Sequence, residues 1–175
     1  RFFCTFNQLT NTFYNMEMNF LAIAAAAVST LVVGFVWYHP KVFGTVWMRE
    51  AGLTEEQLKK GNMLKIFGLT LILSVLISMI VMMLTIHQIG AMGMVGGDPT
   101  TALPSYQVFM DDYGMAYRTF KHGAFHGFLA GLFFALPLIA INGLFEHKSA
   151  KYIFINSGYW IVSLMTMGAI ICGWV

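Results

Sequence analysis

The stretch "GAFHGFLAGLFFALPLIAINGLF", Gly123 to Phe145, runs for 23 residues without an Asp, Glu, Lys or Arg. A helix of about 20 apolar residues is what the hydrocarbon core of a bilayer requires. Three more runs of this kind flank it: Met18 to Pro40, Ile66 to Ile86 and Tyr152 to Val175. The first ends in Trp37 and Tyr38, residues that favour the membrane–water interface, and Pro40 stops its helix. Pro137 is expected to kink the run quoted above. The expected fold is all-α: an integral membrane four-helix bundle with spans at about 18–40, 64–88, 118–145 and 152–174.

Composition points the same way. The chain is 58% hydrophobic and 10% charged, against about 25% charged residues in a soluble domain. Its mean hydropathy is +0.69. Too little polar surface exists to coat a globule in water, so the lipid bilayer is the expected partner. Sixteen Phe, thirteen Met and seventeen Gly suit lipid-facing helices with close contacts between them. A net charge of +2 with no basic, aromatic-interleaved cluster gives no reason to expect nucleic acid. Cys4 and Cys172 form no CxxC pair, so neither a zinc knuckle nor a disulfide framework is indicated. A single Cys4–Cys172 bridge requires both ends in an oxidising compartment.

The first apolar run is too long for a cleaved signal peptide and lacks a basic start and a small-residue cleavage site, so it reads as a retained helix. Lys41, Arg49, Lys59, Lys60, Lys65, Lys148 and Lys151 fall in the first and third loops, against Arg1, Arg118 and Lys121 on the other side. The positive-inside rule then makes those two loops cytoplasmic and both termini extracytoplasmic.

"KVFGTVWMREAG" sets Val42, Phe43, Val46 and Trp47 opposite Lys41, Thr45 and Arg49, an amphipathic segment for the headgroup plane. "TEEQ" reads as a capping box on Thr54 and Gln57, opening a short polar helix that ends at Gly61 and Asn62. "IGAMGMVGGDPTTALPSY" in the outer loop is Gly- and Pro-rich and is expected to be irregular. "YQVFMDDYGMAYRTF" after it suits a short interfacial helix carrying Asp111 and Asp112. No internal repeat supports an inverted-repeat transporter.

Two patterns carry a family likeness. Gly-x-x-Trp-Tyr-x-Pro-x-x-Phe-Gly-x-x-Trp spans Gly34 to Trp47, and Asn-x-Gly-Tyr-Trp spans Asn156 to Trp160. Together with their surroundings they resemble the bacterial domain of unknown function 1761 family, from Met18 onward. The resemblance implies a small four-span protein of the bacterial cytoplasmic (inner) membrane with no established activity, so it carries over no catalytic residue. Residues 1–17 look unlike the family and read as an N-terminal extension ahead of a membrane domain at 18–175. The outer loop is longer than the family leads one to expect.

"KHGAFHGFLAG" holds the chemistry. His122 and His126 stack on one helix face, and the topology brings His87 and the carboxylates of Asp111 and Asp112 to the same membrane face. Three imidazoles and a carboxylate would complete a tetrahedral site for zinc or another transition metal. Gly123, Gly127 and Gly131 form a small-residue ladder for close helix approach, about 100° around the helix from the histidines. The histidines would otherwise hydrogen-bond across that contact, or line a proton or ligand path. Asn142, Asn156 and Ser157 are polar groups toward the cytoplasmic ends of their spans. Thr70, Ser74 and Ser78 form a stripe suited to interhelical hydrogen bonds or, less directly, to a solute path.

No buried carboxylate, Lys or Arg marks an ion-coupled transporter. No GxSxG, HExxH or phosphate-cradling Gly-Lys-Ser loop is present either. The principal reading is a non-enzymatic membrane subunit that self-associates as a homo-oligomer or docks on a larger membrane complex. The alternatives are a metal-binding or metalloenzyme site on His87, His122 and His126, and a small-solute channel or carrier.

Overall fold

The computed structural model describes residues 18–175. The expectations about an N-terminal extension and a Cys4–Cys172 bridge lie outside those residues. Two compact units divide the described chain: a membrane unit, residues 19–86 and 117–175, and a loop unit, residues 87–116.

The membrane unit holds four helices long and apolar enough to cross a bilayer. They are α1 (Phe20–Trp37), α4 (Met63–Thr85), the α7–α8 rod from Phe120 to Phe145, and α9 (Ala150–Gly173). Sequence-local capping sets their starts. Asn19, Asn62, Thr119 and Ser149 each accept a backbone N–H of the first turn, from Ala22, Lys65, His122 and Tyr152 respectively. Helix α9 is the hub and packs against α1, α4, α7 and α8.

The rod is α7 (Phe120–Ala130), a π-helical turn (Gly131–Ala135) and α8 (Leu136–Phe145). Pro137 lacks an N–H and its ring crowds the carbonyl four residues earlier. The preceding π turn takes up that mismatch, a known way to keep a helix running past an obstruction.

The glycine ladder explains the packing of α7 on α9. A methyl group built on Gly123 would collide with the Gly168 carbonyl oxygen, and one on Gly127 with the Leu164 carbonyl oxygen. One on Gly131 would lie 2.6 Å from Ile161 Cα. These backbones touch directly, which no larger residue allows.

Polar groups inside the unit bridge helices. Ser74 is 1% exposed and Ser78 fully buried. The hydroxyls of Thr30 on α1 and Ser74 on α4 share a hydrogen bond of 2.9 Å. Ser78 donates to the Ser74 carbonyl, and Thr85, about two turns further on, donates to the Val81 carbonyl. The Ser157 hydroxyl is buried without a partner among the described residues.

The first loop contains a π turn (Pro40–Gly44), α2 (Thr45–Ala51) and α3 (Glu55–Lys59). The capping box is present: Thr54 accepts from the Gln57 N–H at 3.3 Å while Gln57 accepts from the Thr54 N–H at 2.8 Å. Glu50 accepts from the Ser149 hydroxyl at 2.6 Å, joining this loop to the start of α9. That hydrogen bond, and then the Arg49 guanidinium, hold the Glu50 carboxyl below its usual range.

The loop unit corrects one expectation. The glycine-rich stretch predicted to be irregular forms α5 (His87–Met94), followed by a 3₁₀ turn (Pro99–Thr101) and α6 (Pro104–Tyr113). Gly90 and Gly93 weaken α5 by about 1 kcal/mol each relative to Ala. Tertiary hydrogen bonds outweigh that: the Gln88 amide donates to the Tyr113 and Ala116 carbonyls at 3.1 and 2.8 Å. The helix stops at Gly96 and Gly97, whose φ of 78° and 80° suits glycine. Asp98 then caps the 3₁₀ turn through the N–H and hydroxyl of Thr100, and those bonds lower its pKa.

Candidate metal centre

His122 and His126 lie at the start of α7, one turn apart on one face. Their ring centroids are 4.4 Å apart at 52°. Thr119, the N-cap, fixes the first turn and therefore the register of both. Both imidazoles are half-buried. Tyr117 sits before the cap with a positive φ of 63°, a backbone state uncommon outside glycine, and its ring lies 5.1 Å from that of His122. The corner around it is pinned to the end of α9. The Cys172 thiol lies 3.3 Å from the Tyr117 carbonyl oxygen, and Arg118 Nε donates to the Cys172 carbonyl at 3.1 Å.

His87 is joined by a peptide bond to Ile86, the C-cap of α4, and is exposed. Imidazole nitrogens bind zinc at about 2.0–2.1 Å, and a pair one helical turn apart can share one ion. Asp111 and Asp112 are exposed on α6, where Asp111 accepts from the Gln107 amide at 2.7 Å.

Residues expected only to anchor the interface make specific contacts. Trp37 Nε1 donates to the Ile155 carbonyl at 3.0 Å, and its ring covers Gly158. Tyr38 donates its hydroxyl to the Asn156 side-chain oxygen at 2.9 Å and packs edge-on against Trp47, centroids 5.1 Å apart. A Cβ on Gly34 would meet the Tyr159 ring at 3.4 Å, and Gly44 leaves room only for the Tyr38 carbonyl. Sequence reasoning missed Thr30, whose polar role was hidden inside an apolar run. An i, i+3 and i, i+4 check for hydroxyls opposite the Ser74 stripe would have found it.

Four apolar helices of spanning length with a polar seam between them make this a multi-pass helical membrane protein. The chain belongs to the family described as a protein of unknown function (DUF1761), whose pattern matches residues 21–172. No curated protein and no solved structure matches it.

Proposed function

We propose that this membrane protein carries a transition-metal site at one rim of its bundle, held by His87, His122 and His126. The observation that carries the reading is the His122–His126 pair, one turn apart on α7 with ring centroids 4.4 Å apart; His87, next in sequence to the C-cap of α4, is the third imidazole the chain offers. Neutral imidazoles suit zinc, copper, nickel or iron, and three of them leave an open coordination position for water or a ligand. A carboxylate of Asp111 or Asp112 is the fourth donor the sequence offers. The distribution of Lys and Arg supports an extracytoplasmic position for this rim in a bacterial inner membrane, with both termini on that side.

Gly123, Gly127 and Gly131 lie against α9 of the same chain, so the glycine ladder lends no weight to contacts between copies. The Ser74–Ser78 stripe is closed by Thr30 and by the helix's own carbonyls, which favours helix association over a solute path.

Elemental analysis of detergent-purified protein, stripped with chelator and dialysed against zinc, tests the proposal. The expected result is about one ion per chain. Loss of one ligand in His122→Ala or His126→Ala should weaken binding by more than the roughly 10–100-fold that even outer-shell changes cause, while His147→Ala, outside the cluster, should not. Zinc at background in the wild-type protein ends the reading.

A further inference from the structure

We propose a phospholipid-binding groove at the opposite, first-loop side of the membrane unit, independent of the histidine cluster. A cavity of about 640 Å³ opens there, lined by residues that include Tyr38, Trp47, Met48, Leu58, Lys59 and Met63. It lies between the end of α1 at Trp37 and the start of α4 at Met63. Two spans end at that level, so the groove sits where lipid glycerol and phosphate groups reside.

Its chemistry is amphipathic. Met48, Leu58 and Met63 give an apolar wall, and adaptable Met side chains suit an irregular, mobile acyl chain. Lys59 is at the rim, its ammonium 3.6 Å from the Glu55 carboxylate in an exposed i, i+4 pair. Such a pair is weak and salt-screened, so a phosphate can take the ammonium from it. Trp47, on the wall, has a buried indole N–H with no acceptor among the described residues. A buried donor left unpaired is costly, and a lipid ester or phosphate oxygen would satisfy it. A cation, an indole donor and an apolar wall around one groove match a phospholipid.

Native mass spectrometry of delipidated protein, titrated with dioctanoyl phosphatidylglycerol, tests the groove. The wild-type protein should take one saturable lipid. Trp47→Phe keeps the ring and removes the donor, and should weaken binding by about five- to tenfold, the worth of one hydrogen bond. Leu58→Trp fills the groove from its half-buried rim and should abolish the saturable site even if Trp47→Phe folds poorly. Lys59→Gln should weaken binding as well, whereas His126→Ala should leave it unchanged, separating this site from the metal reading. Inorganic phosphate at the same concentration should not compete. Absence of a saturable lipid, equal binding by Trp47→Phe and Leu58→Trp, or equal competition by phosphate overturns the proposal.

Discussion

The Tyr38 hydroxyl donates to the side-chain oxygen of Asn156 at 2.9 Å, and this bond joins the Gly34–Trp47 and Asn156–Trp160 sequence patterns. Around it Gly34 faces the Tyr159 ring and Trp37 covers Gly158. The two patterns are therefore halves of one contact between α1, the first loop and α9. Their residues close this end of the bundle. Tyr38→Phe should lower stability by about 1 kcal/mol, the usual net worth of one intramolecular hydrogen bond. Thermal unfolding in a mild detergent measures it, and an unchanged midpoint would show the bond to be incidental.

Gly127→Ala should be severe, because its methyl group meets the Leu164 carbonyl of α9 backbone, which cannot swing away. A loss of about 3 kcal/mol or more is expected, in the range of overpacked or broken core contacts. Gly68 on α4 has open space around it. Gly68→Ala should therefore be neutral or stabilise by up to about 1 kcal/mol through helix propensity. Size-exclusion profiles after heating, compared for the two variants, report the contrast.

Thr30 and Ser74 should couple weakly. Hydrogen bonds between membrane helices average about 0.6 kcal/mol in double-mutant cycles. The cycle Thr30→Val, Ser74→Ala and the double variant should return a coupling of that size. A zero coupling would mean the 2.9 Å hydroxyl pair contributes nothing.

Glu50 should make stability depend on pH on the acid side. Its folded pKa is lowered, first by the Ser149 hydroxyl and then by Arg49. A carboxylate depressed in the folded state contributes stability above its unfolded pKa, and that contribution disappears as pH falls through the folded value. Wild type and Glu50→Gln should therefore differ in unfolding temperature near neutrality and converge in acid. Parallel curves across the whole range would remove Glu50 as the cause.

The spans were legible because an uncharged run of 20 or more residues has few physical alternatives, and the ladder because three glycines at i, i+4 spacing share a face. Local chemistry also revealed the caps at Thr54 and Gln57. Less was visible where distant residues decide. Helix α5 forms in spite of Gly90 and Gly93 because Gln88 reaches carbonyls 25 and 28 residues away. Pro137 announced a distortion, yet its form, a π turn one step earlier at Gly131–Ala135, depends on how the rod meets α9. Trp37 and Tyr38 read as interface anchors because their partners on α9 lie 118 residues on. Of the histidines, the spacing of His122 and His126 was plain, and the place of His87 rested on counting membrane crossings.

X-ray absorption at the zinc edge of the zinc-loaded protein in detergent tests the proposed trihistidine centre most directly. The expected first shell holds three imidazole nitrogens at about 2.0–2.1 Å, with the multiple-scattering pattern of histidine rings, and loses one of them in His126→Ala. A shell of oxygens alone, unchanged by that substitution, would contradict a metal site built on these histidines.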